Sequence, residues 1–443
     1  MSTKSEGKLS LSTLVAIAAG NVIGAGVITT TGLAIAQTGR SAWISYGLAV
    51  LFGLLWLYPG CLWASFTKSR GGAYTQVSAN MGKLAGGIYS LWWLPMFLMS
   101  ALMGTALGLY VNSVLPILPV KWTGIIVSTI FFVINLFGVN VMSKIQKPLT
   151  WILILGLLAF VVIGLGHLNE DALNFSAPDY FMNGGGGLLN GLMLLIYSTS
   201  GHSLVTSLSW DAENPKKNIP LSIIITPGLI LVLYMGVAFV AGNVLPVAEV
   251  AGQPLTYVAK AIFPGPLFIA FIVCGPIMAL ATSVNAGYQT MSAPVLGAIK
   301  NGWLPQSLAK TNKYGAPWII YTFMWLLCVV PMLFGVSLSA LTSYTVMTMR
   351  ITSLLVLISA LYIPKKFETE WKKSWMYMPN GMFYAIVWVA IITNIIAIFL
   401  NLRTLSASMF IANLAVVGAL AVYGILRDRT GKTIDSSEYT FDD

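Results

Sequence analysis

The chain has 443 residues, of which 57% are hydrophobic and 9% are charged, whereas soluble proteins average about 25% charged residues. This composition excludes an ordinary soluble protein. The net charge of +10 does not indicate nucleic-acid binding either, because the lysines and arginines fall in short polar segments between long apolar runs, as they do in membrane proteins.

The apolar runs predict an all-α polytopic membrane protein with 12 transmembrane helices, since about 20 apolar residues cross a bilayer as a helix. In chain order, the predicted spans are 12–37, 42–66, 84–112, 122–140, 148–167, 185–211, 219–243, 264–298, 316–335, 338–362, 381–400 and 405–426. Residues 247–262 are too short and too polar to cross, and we predict a surface helix there. We predict that residues 435–443 form a solvated acidic end.

The basic residues predict the orientation of the chain in the membrane. With the N-terminus in the cytoplasm, 19 of the 24 lysines and arginines fall in cytoplasmic loops and ends, 4 fall outside, and Arg350 lies within the tenth span. Basic loops favour the cytoplasmic side. We therefore expect a multi-pass protein of a bacterial cell membrane with both termini in the cytoplasm.

Glycines interrupt the first predicted span. Residues 20–28 read GNVIGAGVI, and each glycine weakens a helix by about 1 kcal/mol relative to alanine. A break at bilayer depth frees backbone N–H and C=O groups that hydrocarbon cannot satisfy, so it persists only where it is buried in protein or lines a cavity. The sequence therefore predicts a broken helix beside a binding cavity.

The sixth predicted span has a second interruption at residues 197–203, which read YSTSGHS. Serine, threonine and glycine tolerate unwinding. Broken helices at matching positions of two five-span halves are typical of transporters built from inverted repeats, which bind substrate at the free half-helix ends. A carboxylate would bind N–H groups at a helix start, and an ammonium would bind carbonyls at a helix end. The alternative is that these small residues only permit close helix packing.

Five short segments together resemble one known family, the amino acid–polyamine–organocation superfamily of permeases. They occur in that family's order and extend from the first to the ninth span: GNVIGAGVI at 20–28, SRGGAY at 69–74, GVNVMSKIQ at 138–146, ENPKKNIP at 213–220, and NGWLP at 301–305 with KYGAP at 313–317. The resemblance implies a leucine-transporter-like fold with a 5+5 inverted repeat and broken helices 1 and 6. The first repeat would comprise residues 9–167, the second 184–362, and two extra helices 380–426.

The resemblance also implies which residues bind the substrate. They are Ile23, Gly24, Ala25, Gly26 and Val27 in the first span, and Tyr197, Ser198, Thr199, Ser200 and Gly201 in the sixth. Tyr197 stands where arginine antiporters of this superfamily have a gating tryptophan, and we expect it to cap the cavity. Ser203 stands where they have a proton-sensing glutamate. Leu153 stands where other members have a lysine, so both departures weaken the case for proton coupling.

Charged and polar residues inside other spans extend the candidate site. Arg350 either attracts an anionic substrate group and disfavours cations, or is satisfied structurally by carbonyls at a helix break. His202 either responds to pH or fills space as a neutral side chain. Met96 and Ser100 share a face of the third span, with core packing as the alternative for the methionine. Tyr288 lies in the eighth span, where interhelical hydrogen bonding is the alternative for polar residues. Further polar candidates are Asn285, Ser343 and Thr345.

No Asp or Glu lies inside a predicted span away from its ends, so we expect neither a carboxylate proton relay nor a metal site. A weaker hypothesis is a sodium site formed by the carbonyls of Gly20 and Ile23 with the hydroxyls of Thr282 and Ser283. No phosphate-binding G-x-x-x-x-G-K run occurs, and we expect no cofactor.

The predicted function is secondary active transport by alternating access, with exchange of neutral or acidic amino acids or their amine products. One alternative is polyamine exchange, for which the sequence offers only aromatic residues: Trp92, Trp93, Tyr197 and Tyr288. A second is sodium- or proton-coupled uptake. An embedded enzyme would need clustered His, Asp or Glu, and a channel a ring of charge; the sequence predicts neither.

Overall fold

The computed structural model describes residues 8–336, 338–404, 406–434 and 438–442, without the side chains of residues 25, 29, 197, 338–340, 342–344, 346, 401, 403 and 404. Helices make up most of the described chain. In the first part they are α1 (Leu11–Val22), α2 (Ala25–Thr38), α3 (Ala42–Phe66), α4 (Ala73–Met81), α5 (Lys83–Leu91), α6 (Trp93–Met96), α7 (Met99–Val114), α8 (Val120–Asn135) and α9 (Val139–Gly164). Short 3₁₀ helices occupy Gly39–Ser41 and Leu165–His167.

The second part of the chain repeats this helical character. Its helices are α10 (Gly184–Ser198), α11 (Pro215–Asn243), α12 (Val247–Val250), α13 (Leu255–Ile262), α14 (Gly265–Ile272), α15 (Met278–Lys300), α16 (Trp318–Leu333), α17 (Leu338–Ala360), α18 (Ile363–Lys366), α19 (Glu368–Lys373), α20 (Asn380–Thr404) and α21 (Ala407–Arg429). A π-helical turn at Val273–Ile277 joins α14 to α15, and 3₁₀ helices occupy His202–Asp211 and Gln306–Ala309.

The predicted fold class, an all-α polytopic membrane protein, is confirmed. Among the residues that the structure describes, eight helical segments are long and apolar enough to cross a membrane, and four further apolar helices are shorter. The short ones include α1 and α10, which end at the predicted interruptions. The count of 12 spans stays a prediction.

The two interruptions of the sequence are breaks in the structure. α1 ends at Val22 and α2 begins at Ala25, whereas α10 ends at Ser198 and a 3₁₀ helix begins at His202. α1 packs against this 3₁₀ helix and α2 packs against α10. The first half of each broken helix therefore lies beside the second half of the other, which is an antiparallel arrangement.

The third span departs from the single predicted helix. It is divided into α5, α6 and α7, and Pro95 lies inside α6. Proline lacks an N–H donor and its ring clashes with the preceding turn. The backbone tightens accordingly, with Phe97 N–H donating to the Leu94 carbonyl at 3.2 Å and Leu98 N–H to the Pro95 carbonyl at 3.1 Å.

The C-terminal segment is not the solvated end that its acidic sequence predicts. Strand β2 (Tyr439–Thr440) pairs antiparallel with β1 (Lys68–Ser69), the segment that follows α3. The Phe441 ring stacks on Phe66, with 6.4 Å between the ring centroids. Apolar packing and strand pairing thus outweigh the acidic composition, a long-range effect that composition does not reveal.

Candidate functional site

The two helix breaks touch each other at positions occupied by glycine. A Cβ atom added to Gly26 would lie 2.5 Å from the Cβ of Ser198, and one added to Gly201 would lie 2.9 Å from the Asn21 carbonyl oxygen. Gly201 also has φ of +127°, a conformation that L-residues rarely adopt. Glycine is therefore required for this close approach.

The backbone of the first break closes on itself through short turns. The N–H of Ile23 donates to the Ala19 carbonyl at 2.7 Å, and the N–H of Gly24 donates to the Val22 carbonyl at 2.8 Å. Gly24 is the N-cap of α2, and no side chain caps this helix start. The first N–H groups of an α-helix lack intrahelical partners and attract anions, so the start of α2 is suited to a carboxylate.

Hydroxyl groups satisfy the carbonyls at the second break. Ser198 Oγ donates to the Leu195 carbonyl at 2.8 Å, while Thr199 Oγ1 and Ser200 Oγ donate to the Ile196 carbonyl at 3.1 and 2.6 Å. These bonds compete with the helical ladder, which explains why α10 stops here. The chain continues as a 3₁₀ helix, a tighter form that is uncommon over long runs.

A cavity of about 180 Å³ adjoins both breaks. Its wall combines residues from the broken helices with residues from α3, α6, α7, α15 and α17 and the turns beside them. The broken helices contribute Asn21, Thr199, Ser200, Gly201, His202 and Ser203; the other elements contribute Gly53, Trp56, Gly60, Trp63, Trp93, Met96, Met99, Ser100, Met103, Ser283, Gly287, Tyr288, Met349, Arg350 and Ser353 among others. The wall is predominantly apolar, as small-molecule sites usually are.

Eight of the substrate-binding residues proposed from sequence lie on this wall. They are Met96, Ser100, Thr199, Ser200, Gly201, His202, Tyr288 and Arg350. Ser100 Oγ donates to the Phe97 carbonyl at 2.6 Å. Tyr288 is 2% exposed, and its ring lies 5.4 Å from that of Tyr321.

The remaining candidates of the first break lie behind the wall. Ile23 and Val27 are fully buried in an apolar cluster, and Gly26 faces Ser198. Gly24 is closer to the cavity, because a Cβ there would lie 2.9 Å from the Oγ of Ser283, a wall residue. The side chains of Ala25, Tyr197 and Ser343 lie outside the described part of the chain, so the capping role of Tyr197 stays a prediction.

The candidate sodium ligands already contact one another. Ser283 Oγ lies 2.9 Å from the Gly20 carbonyl oxygen, and Thr282 Oγ1 lies 3.5 Å from the same oxygen. Thr282 Oγ1 also donates to the Ala279 carbonyl at 2.9 Å. A cation bound here would have to replace these hydrogen bonds. In the part of the chain that is described, no cluster of three or more His, Cys, Asp or Glu suits a metal ion.

An amide network fixes the helices next to the first break. Asn285 Nδ2 donates to Gln146 Oε1 at 2.9 Å, and Asn135 Nδ2 donates to Asn285 Oδ1 at 3.0 Å. Gln146 leaves no room for a side chain at Gly20, where a Cβ would lie 2.1 Å from its Nε2. Asn285 thus has a structural role in the interface of α8, α9 and α15 and does not line the cavity.

Sequence reasoning missed the contribution of the second span. Gly53, Trp56, Leu57 and Gly60 line the cavity, and their spacing of three, four and seven residues marks one face of a helix. That spacing was the only sign of this face in the sequence. In a helix that is apolar all round, the spacing does not show whether the face lines a cavity or contacts lipid. The guanidinium carbon of Arg350 lies 4.5 Å from the centre of the Trp56 ring.

Among the aromatic residues proposed from sequence whose side chains are described, two line the cavity and one does not. Trp93 and Tyr288 line the cavity, but Trp92 lies elsewhere, with its Nε1 donating to the Val417 carbonyl of α21 at 3.0 Å. Arg350 shares the same wall. A cation bound between these aromatic rings would therefore share the cavity with a positive charge.

Comparison with known proteins agrees with this architecture. A family model described as amino acid permease matches residues 9–426. The chain is 27% identical over 353 residues to the lysine-specific permease LysP of Lactococcus lactis, covering 72% of this chain and 68% of that protein. It is 24% identical over 335 residues to the γ-aminobutyric acid permease of Bacillus subtilis, covering 71% and 69%.

A third relative is an uncharacterized amino acid permease of Bacillus subtilis, YvbW. It is 25% identical over 338 residues, covering 73% of this chain and 74% of the relative. These relatives are transporters, and the family match spans nearly the whole length. The protein therefore belongs to the amino acid permease family, within the amino acid–polyamine–organocation superfamily.

Proposed function

We propose that this permease is a secondary active exchanger that trades one amino acid for another, or for its amine product, by alternating access. The observation that carries the proposal is the contact of the two broken helices, Gly26 against Ser198 and Gly201 against the Asn21 carbonyl, beside the cavity. Transporters with discontinuous helices bind substrate where those helices meet.

In this proposal the backbone binds the amino acid head group. The substrate carboxylate binds N–H groups at the uncapped start of α2, which carries the positive end of the helix dipole. The ammonium binds carbonyls at the ends of α1 and α10. The cavity reaches Asn21 and Thr199, and Gly24 lies directly behind the hydroxyl of Ser283. A small movement between α1 and α15 would expose the remaining candidates of the first break.

Alternating access would then arise from movement of one repeat against the other. The proposed repeats are residues 9–167 and 184–362, with residues 380–426 as additional helices. The basic loops favour a cytoplasmic location of both termini. The loop after α3, which this orientation assigns to the cytoplasmic side, contributes Gly71 to the cavity wall, and we propose that substrate exchanges with the cytoplasm past this loop.

The charge pattern favours exchange over ion coupling. Proton relays in transporters commonly contain Asp, Glu or His; the described wall of the cavity contains no carboxylate, and His202 is its one histidine. Leu153 is fully buried in apolar surroundings, and Ser203 is an uncharged residue of the wall. The hydroxyl of Ser283 hydrogen-bonds to the Gly20 carbonyl, so these two groups satisfy each other without a bound cation.

Counterflow in liposomes tests this proposal. The full chain is reconstituted, the vesicles are loaded with one unlabelled amino acid or amine from a panel, and uptake of the labelled compound is measured against protein-free vesicles. We expect internal substrate to stimulate uptake, without a requirement for sodium or a proton gradient. Loss of stimulation for every compound would overturn the proposal. Sodium-dependent uptake without counterflow would favour coupled uptake, and stimulation by polyamines alone would favour polyamine exchange.

A further inference from the structure

The cavity wall carries several buried hydrogen-bond donors that have no partner in the described part of the chain. Asn21 Nδ2, Trp63 Nε1 and both ring nitrogens of His202 are buried and have no hydrogen-bond partner, and all three residues line the cavity. An amide NH₂ and an indole N–H only donate, and a neutral imidazole donates from one nitrogen and accepts at the other. Since a buried donor without a partner is costly, this wall favours a ligand rich in acceptor atoms.

The same wall carries a positive charge. Arg350 lines the cavity and is 2% exposed, and an arginine side chain remains protonated in proteins. No Asp or Glu occurs among the wall residues that the structure describes. Charge interactions are weakly screened in buried sites. The cavity therefore attracts an anionic group and repels a second cation.

The aromatic contact of Arg350 fixes the orientation of its charged group. The guanidinium carbon lies 4.5 Å from the centre of the Trp56 ring, at a distance typical of a cation–π contact. A guanidinium that stacks on an aromatic face keeps its N–H donors in its own plane, where they match the two oxygens of a carboxylate. Lysine has no such planar fork, so charge alone would not reproduce this geometry.

We infer that this donor-rich wall, formed by Asn21, Trp63, His202 and Arg350, is a side-chain subsite that selects substrates with a side-chain carboxylate. The inference rests on the proposed function, in which the helix breaks bind the substrate's α-amino and α-carboxylate groups. The substrate class is then the acidic amino acids. The cavity volume of about 180 Å³ is below the roughly 300–1,000 Å³ of sites for drug-sized ligands, as a small substrate requires.

Competition among matched substrates tests the inference. In counterflow with the full chain in liposomes, aspartate and glutamate are compared with asparagine and glutamine, which have the same shape without the charge, and with lysine. We expect the acidic member of each pair to be preferred by about 10- to 100-fold, the range for a hydrogen bond to a charged group, and lysine to be excluded. A preference for the amides or for lysine would overturn the subsite.

Variants of Arg350 identify the residue responsible. Arg350→Met keeps the length of the side chain without its charge, and Arg350→Lys keeps the charge without the planar fork. We expect Arg350→Met to abolish the acidic preference while amide exchange persists, and Arg350→Lys to restore it in part. Arg429→Met, at an exposed position, is the control and should leave the preference unchanged.

The two proposals fail in distinguishable ways. If no amino acid shows counterflow, the proposed function is overturned. If neutral amino acids exchange but Arg350→Met leaves the ratio of acid to amide unchanged, only the subsite is overturned. Should Arg350→Met fail to fold, as judged by size-exclusion chromatography in detergent, His202→Phe provides the second test. It removes both unpaired ring nitrogens, and we expect it to lower the affinity for acids more than that for amides.

Discussion

The two helix breaks have the same role in the proposed mechanism but different construction. The break between α1 and α2 leaves only Ile23 and Gly24 outside the helices, and Ile23 is fully buried. The break after α10 leaves Thr199, Ser200 and Gly201 outside the helices, and all three line the cavity.

This difference shows that unwinding and ligand access are separate properties. At the first break, backbone N–H groups bond to carbonyls within the same turn, so the chain can be sealed in protein at little cost. At the second break, side-chain hydroxyls donate to the carbonyls of Leu195 and Ile196, and the three residues that follow α10 line the cavity. We expect substitutions at the second break to affect transport and those at the first to affect mainly stability.

The largest expected effect is that of Gly201→Ala. The φ of +127° costs a residue with a Cβ about 1–3 kcal/mol, and the contact of 2.9 Å with the Asn21 carbonyl adds about 1–3 kcal/mol of overpacking. We expect at least about a tenfold loss of counterflow in the folded fraction. Gly228→Ala in α11, where a Cβ meets no atom within 4 Å, is the matched control. Normal transport by Gly201→Ala would contradict the role of this break.

Gly26→Ala should destabilise the protein by about 1–3 kcal/mol through overpacking alone. Its Cβ would lie 2.5 Å from that of Ser198, but Gly26 has an ordinary helical conformation within α2. We expect a lower melting temperature in detergent, with substrate affinity retained by the surviving folded protein. A selective loss of affinity at unchanged thermal stability would contradict this expectation and show that the contact of Gly26 with Ser198 orients the backbone groups that bind the substrate.

Ser283→Ala removes a hydroxyl from the first break. The Oγ of Ser283 lies 2.9 Å from the Gly20 carbonyl oxygen, and such a hydrogen bond contributes about 0.5–1.5 kcal/mol to the free energy of unfolding. We expect a loss of about 1 kcal/mol in thermal unfolding and no change in sodium dependence. The control is Ser408→Ala, at an exposed position in α21. A sodium requirement lost in Ser283→Ala would instead support the sodium site.

Ser200→Ala should have the smallest effect. Its Oγ donates to the Ile196 carbonyl at 2.6 Å, but Thr199 Oγ1 donates to the same carbonyl at 3.1 Å and can replace it. We expect less than about 1 kcal/mol of destabilisation and a rise of a few fold in the Michaelis constant. If Ser200→Ala and Ser283→Ala raised the Michaelis constant equally, the expected difference between a break that affects transport and one that affects mainly stability would be contradicted.

Local sequence was sufficient to predict an all-α membrane protein and to locate both breaks. Hydropathy acts over about 20 residues, while glycine, serine and threonine change backbone preferences within one helical turn. The family resemblance followed from five short segments in order. The absence of Asp and Glu from the span interiors was equally visible, because it depends only on position along the chain.

The tertiary structure alone decided which of these residues reach the cavity. Three contacts join segments that are far apart in sequence: Arg350 with Trp56, Gly201 with Asn21, and strand β2 with β1. Their side chains meet because helix packing brings them together, and packing depends on shape complementarity summed over the whole bundle. No local preference contains that information, so the sequence predicted the broken helices and part of the wall but not the face of α3 that completes it.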